Sequence, residues 1–229
     1  MEILYLLLIF AILASIAIQI QVSNIFSKYS RVKTANARTG AQVARRILDA
    51  HGLFDVRIDR VPGNLTDHYD PRSRVLCLSE NVYDKSSPSA AGVAAHEVGH
   101  AIQHAENYAP ITMRTKLVPL VTFASKFSWI AILLGIIIMY ASSVLGSYMV
   151  TLGIILFAAT TLFHLVTLPC EFDASRRALT ELELCGWYSK SELGMSQKVL
   201  KAAAMTYVAA LAVSALQLLR LIGLLGDRR

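Results

Sequence analysis

Apolar and polar positions along the chain follow two different rhythms. Residues 3 to about 22 are nearly unbroken Leu, Ile and Ala, long enough for one helix to cross a bilayer. A second apolar block, residues 120–168, is too long for one span and predicts two, joined by a tight loop around residues 141–148. Residues 202–225 predict a fourth, weakened by Gln217 and Arg220, so the pattern fits three to four spans. Between the blocks the period shortens. Residues 41–51 read as an amphipathic helix closed by Gly52. Residues 56–63 and 74–79 each alternate apolar with polar, as half-exposed strands do, and the Asp70-Pro71 turn signal lies between them. A short β-hairpin or sheet edge is expected there. Ser87 and Pro88 then offer an N-cap and a first-turn proline for a further helix.

Composition agrees with the apolar blocks and charge orients them. Of 229 residues, 55% are hydrophobic and 17% charged, and the mean hydropathy of +0.49 is not that of a soluble globular domain. With Glu2 as the only charge before it, the first block reads as a retained anchor rather than a cleaved signal. Lys28, Arg31, Lys33 and Arg38 follow the first block, Arg114 and Lys116 precede the second, and Arg176 and Arg177 follow it, whereas residues 141–148 carry no charge. By the positive-inside rule the N-terminus is outside and both polar stretches are cytoplasmic. Arg228 and Arg229 run against an outside C-terminus.

The expected organisation is a mainly α integral membrane protein of the cell membrane. Residues 1–23 form an anchor, 24–116 a cytoplasmic region, 117–168 a transmembrane hairpin, 169–201 a second cytoplasmic segment, and 202–229 a transmembrane or membrane-associated helix. The net charge of +6 is then positive-inside bias and contact with anionic lipid, and nucleic acid is not needed to explain it. Cys77, Cys170 and Cys185 are odd in number and without metal-like spacing, so they are expected to be free thiols.

The candidate chemistry lies in "AAHEVGHAIQH", residues 94–104. On a helix His96 and His100 are one turn apart, about 40° around and about 6 Å along, so both imidazoles can point at one metal ion with Glu97 beside them. Two histidine ligands plus a carboxylate placed to take a proton from water is the His-Glu-x-x-His arrangement. His104 lies about 12 Å along the axis from His96, too far for one ion on an unbroken helix, and is read as a helix-surface residue or one that supports a ligand from behind. A catalytic zinc of this type takes three protein ligands. Glu171 in "LPCEFDASRRALTELEL", residues 168–184, is the candidate third, since a two-span hairpin returns the chain to the side holding His96. Pro169 is expected to end the span and open a new helix, with Glu171 in its first turn. Asp173 competes for the role, about 200° away on a continuous helix, and His164 is a candidate because ionisable groups inside spans are unusual.

The blocks "LTDHYDPRSRVLCLSE", "AAHEVGHAIQH", "LPCEFDASRRAL" and "VLKAAAMTYVAAL" together resemble the YugP-type membrane zinc metallopeptidase family, along nearly the whole chain. The resemblance implies a gluzincin-like, zincin-type catalytic region with His96, His100 and Glu171 as zinc ligands and Glu97 as catalytic acid/base. In broadly similar membrane zinc peptidases the ligand glutamate begins an E-x-x-x-D pattern; here the fourth position is Ser175, so that aspartate's role in orienting a histidine does not carry over. The expected activity is a Zn2+-dependent endopeptidase cutting membrane or membrane-proximal proteins, with His68 and Tyr207 as candidate oxyanion donors. The alternative is a catalytically idle membrane scaffold or adaptor that keeps the metal site.

Overall fold

The structure is a computed structural model that describes residues 2–226, with side chains to residue 224; Arg228 and Arg229 lie outside the described residues. The elements run α1 Glu2–Ser30, α2 Gly40–Ala50, β1 Arg57–Val61, β2 His68–Asp70, β3 Val75–Ser79, α3 Glu80–Tyr83, α4 Pro88–Ala105, α5 Ala109–Ile138, α6 Ser143–Leu184 and α7 Lys190–Gly226. The protein is mostly helical, and α1, α5, α6 and α7 are long and apolar enough to cross a membrane. The chain divides into two compact units: residues 2–17, 112–168 and 207–226 in one, residues 18–111 and 169–206 in the other.

The first unit holds most of the apolar helix length. Here α5 and α6 come within backbone contact at Gly153, where a Cβ would stand 2.7 Å from the Ser128 carbonyl oxygen. The hydroxyls of Thr161 on α6 and Ser214 on α7 bond at 2.7 Å, which satisfies two polar groups within apolar helices. The connection between α5 and α6 is shorter than expected, residues 139–142. Residues 143–148 continue the helix because nothing in them breaks it.

Pro169 does not open a new helix. α6 passes through it as one element of 42 residues, although a proline lacks the N–H for its own helical bond and crowds the carbonyl four residues back. Packing on the far side holds the helix together: Cys170, Ala174, Ala178 and Leu182 are fully buried. Glu171 is therefore an interior helical residue, and the stabilisation available to an acid in a first turn does not apply to it.

In the second unit a three-stranded sheet of order β1-β3-β2 lies with α2, α3 and α4. Of the hairpin or sheet edge expected over residues 56–63 and 74–79, the hairpin is corrected, whereas β1 is an edge of the sheet. β1 pairs with β3 in parallel, Arg57 opposite Val75, and the antiparallel partner of β3 is β2, His68 opposite Cys77. The Asp70-Pro71 turn signal was sound but closes the β2–β3 hairpin: Asp70 accepts from the Arg72 amide at 2.9 Å and from the Ser73 hydroxyl at 2.6 Å. A strand flanked on both sides buries more than an edge, so four of the five β3 residues are buried where alternation predicted half exposure.

Local chemistry fixes the helices of this unit. Thr39 and Gln42 form a reciprocal capping box at the start of α2, and Gly52 after its end has φ +70°, a conformation only glycine adopts freely. Ser87 caps α4 through the Ala90 amide, with Pro88 in the first turn. Ile47, Leu48, Leu76, Leu78, Val98 and Leu182 are completely buried in one core, and each such side chain contributes roughly 1.5–3 kcal/mol. Glu192 ties the start of α7 to the loop after α1, accepting from the Ala35 amide at 2.9 Å and the Ser189 amide at 2.7 Å. Burial pushes its carboxyl upward, but these bonds outweigh that and hold it below the usual range.

Candidate metal centre

His96 and His100 lie on α4 and Glu171 on α6, all in the second unit. The crossing that brings them together is made possible by Gly99. A Cβ there would stand 2.8 Å from the Ala174 carbonyl oxygen and 3.2 Å from its Cα, so only a residue without one lets α6 come this close. The result is a compact group. His96 Nε2 is 3.2 Å from Glu171 Oε2, His100 Nε2 is 3.6 Å from it, and one ligand atom from each residue lies within 4.8 Å of the others. Donors about 2.1 Å from a tetrahedral zinc are about 3.4 Å apart, so the donor set fits such an ion with shifts of an ångström or so.

Glu171 is 1% exposed. Burial pushes its carboxyl up, but the hydrogen bonds and charge of His100 and His96 prevail and hold it well below the usual carboxylate range. Glu97, beside the histidines on α4, is also buried and has no hydrogen bond or ion pair to another described residue. His104 lies one turn past His100 on the same unbroken helix, its ring 5.8 Å from that of Tyr69, and is outside the group. His68 is exposed on β2 with Nδ1 2.8 Å from the Thr66 carbonyl oxygen. His164 and Tyr207 belong to the other unit, where His164 lines a cavity of about 660 Å³ with Trp129 and Phe157.

The family model described as "Putative neutral zinc metallopeptidase" matches residues 4–226. The chain belongs to this family. It is also 49% identical to "Putative membrane protease YugP" of Bacillus subtilis (strain 168) over 205 residues, 89% of this chain and 88% of the relative. No solved structure matches it.

In this member of the zinc metallopeptidase family the two candidate histidines each meet a further side chain at Nδ1, and Gln103, which meets His100, carries no signal of its own in the sequence. Gln103 Nε2 donates to the Cys170 carbonyl and to Asp173 Oδ2, both at 2.9 Å. Both partners can only accept, so the amide oxygen is the atom that faces His100 Nδ1 at 2.9 Å. In the neutral ring Nδ1 then carries the proton and Nε2 the lone pair, which is the tautomer a metal requires. Asp173 is therefore not an alternative to Glu171 within the group. It accepts from Gln103 and pairs with Arg176 and Arg177, and Arg177 reaches Glu106 at 2.8 Å. Burial pushes its carboxyl up, and the bonds from Gln103, Arg177 and Arg176 bring it below its ordinary value.

Ser175, four residues after Glu171, has its hydroxyl 3.2 Å from His96 Nδ1. The position that carries aspartate in similar peptidases is thus filled by a hydroxyl that still touches the histidine. Asp67 was also missed, though it sits inside a block singled out in the sequence. It accepts from the Ser79 amide at 2.7 Å and the Ser79 hydroxyl at 3.0 Å. Burial raises its pKa, the Ser79 bonds oppose that, and the nearby charge of Glu97 adds to it. Its only sequence signal was an acid next to a histidine, which is too common to single out.

Proposed function

We propose that the chain is a zinc-dependent membrane endopeptidase in which His96, His100 and Glu171 hold the metal and Glu97 is the catalytic acid/base. The observation that carries this is the convergence of three donors from two helices, His100 and Glu171 buried and His96 half-buried, beside a buried carboxylate that has no hydrogen bond or ion pair to another described residue. A bound zinc would supply Lewis acidity toward water and a peptide carbonyl. Glu97 accepts the proton of the attacking water and returns it to the leaving amine. Gln103 and Ser175 hold the two imidazoles at their Nδ1 atoms, and Asp173 anchors Gln103.

β2 is an edge of the sheet and packs with α4, so an extended substrate segment could add beside it as a further strand. Residues 24–116 and 169–201 are cytoplasmic in this reading, with residues 1–23, 117–168 and 202–229 in or on the bilayer. Substrates are then membrane proteins cut in cytoplasmic or juxtamembrane segments.

The test is metal content by mass spectrometry on detergent-purified full-length protein. Wild type and Glu97→Gln are expected to hold one zinc per chain and Glu171→Ala none. Full zinc in Glu171→Ala would place the third ligand elsewhere, and no metal in wild type after zinc is supplied would favour the scaffold or adaptor. Gln103→Leu removes the acceptor that fixes the His100 tautomer. It should weaken zinc binding by about 10- to 100-fold, read by competition with a chromogenic chelator; unchanged affinity would reduce Gln103 to a packing residue.

A further inference from the structure

Two of the long helices change character at one groove. α1 carries no charge from Ile3 to Ser27 and then presents Lys28; α7 presents Lys198 and Lys201 and then has no charge from Ala202 until Arg220. These two boundaries coincide in space, because Ile18, Ile25 and Lys28 from α1 and Lys198, Lys201 and Met205 from α7 line one groove of about 340 Å³ in the second unit. Where two membrane-crossing helices turn from apolar to cationic side by side, the groove lies at the level of lipid headgroups.

The charge in the groove is unbalanced. All three lysines are exposed, no carboxylate of the described residues lines the groove, and none of the three forms an ion pair with another described residue. Lys198 and Lys201 are one turn apart, an arrangement that is mildly repulsive on its own, and Lys28 adds a third cation from a different helix. The Lys28 ammonium lies 5.5 Å from the centre of the Tyr29 ring, whose hydroxyl and the Gln21 amide add polar atoms to the same groove. The rest of the lining is hydrocarbon. A cationic rim above an apolar wall matches a ligand with an anionic head and a hydrocarbon tail.

We propose that this groove binds an acidic phospholipid, with its phosphodiester among Lys28, Lys198 and Lys201 and an acyl chain along Ile18, Ile25 and Met205. The proposal rests on the membrane placement above but not on the peptidase chemistry, so the two fail separately. Each lysine near an anionic headgroup adds about fivefold in affinity, and three working together should give a clear preference over a zwitterionic lipid.

The test is native mass spectrometry of the full chain from micelles containing equal amounts of phosphatidylglycerol and phosphatidylcholine. Wild type is expected to retain one phosphatidylglycerol at least about tenfold over phosphatidylcholine. The triple variant K28Q/K198Q/K201Q should lose that preference and K28R/K198R/K201R should keep it. Gln21→Trp leaves every lysine in place but fills the groove from an exposed position, and should reduce retention as well; it decides the matter if the triple variant does not fold. Equal retention of both lipids by wild type would overturn the proposal, as would a preference unchanged in folded K28Q/K198Q/K201Q or in Gln21→Trp. Displacement by soluble glycerol 3-phosphate as effective as by the lipid would assign the site to a free phosphate ester instead.

Discussion

Replacing Glu97 with glutamine is expected to lower peptide hydrolysis by about a hundred- to ten-thousand-fold while leaving zinc content unchanged. Glutamine keeps the size of the side chain and cannot take a proton. Glu97 is buried and has no hydrogen bond or ion pair to another described residue, so the substitution breaks no structural bond and its effect falls on proton transfer. The carboxylate also adds to the upward push on Asp67, so the variant should relieve that acid rather than strain it. The measurement is cleavage of an unstructured reporter protein by full-length enzyme in detergent, with zinc determined on the same sample. Loss of zinc in Glu97→Gln would mean that Glu97 holds the metal; full activity with zinc retained would remove it from the chemistry.

The second large effect is expected at a residue with no functional group. Gly99→Ala places a methyl 2.8 Å from the Ala174 carbonyl oxygen and 3.2 Å from its Cα, closer than non-bonded atoms tolerate, and the neighbours are backbone that cannot rotate away. Either α6 moves outward or the fold loses about 1–3 kcal/mol, as overpacked cores do. Glu171 and Ser175 flank Ala174 on α6 and meet His96 at 3.2 Å each, so an outward shift of even an ångström removes a donor from the group. We expect Gly99→Ala to lose most of its zinc under chelator competition even where circular dichroism shows the protein still folded. Gly194→Ala serves as the control, since nothing lies within 4 Å of a Cβ there; it should keep its zinc and gain up to about 1 kcal/mol from helix propensity. Wild-type zinc affinity in Gly99→Ala would show that the crossing has slack and that Gly99 does not set the site.

Both expectations turn on residues whose importance has different sources. Glu97 could be named as a candidate from spacing alone, because it directly follows the first of two histidines that share a helical face in the His-Glu-x-x-His arrangement. Gly99 stands between the same histidines and reads as a mere gap until α6 is seen crossing there. Gln103 and Asp173 are seventy residues apart in sequence, and neither carries a motif; their bond exists because α4 and α6 cross, and it converts Asp173 from a competitor of Glu171 into an anchor for His100. The hairpin offered as one reading of β1 and β3 fails for a similar reason. Periodicity reports how a strand is buried, not which neighbour it pairs with, and the three-residue β2 was too short to give a period at all.

The sequence by itself determined the features that depend on local order. These are the apolar helices of crossing length, though not whether three or four of them span, the end of α2 at Gly52 and the start of α4 at Ser87 and Pro88, and the placement of His96 and His100 on one helical face with Glu97 next to them in the chain. Each follows from helix geometry, hydrogen-bond chemistry or the cost of burying charge, all of which act over a few residues. Only the tertiary structure decided the parallel pairing of β1 with β3, the passage of α6 through Pro169, and the support of both histidines by Gln103 and Ser175. It also decided the meeting of Lys28 with Lys198 and Lys201. Those depend on which distant backbones approach one another, and that is set by the packing of the whole core rather than by any segment's own preferences.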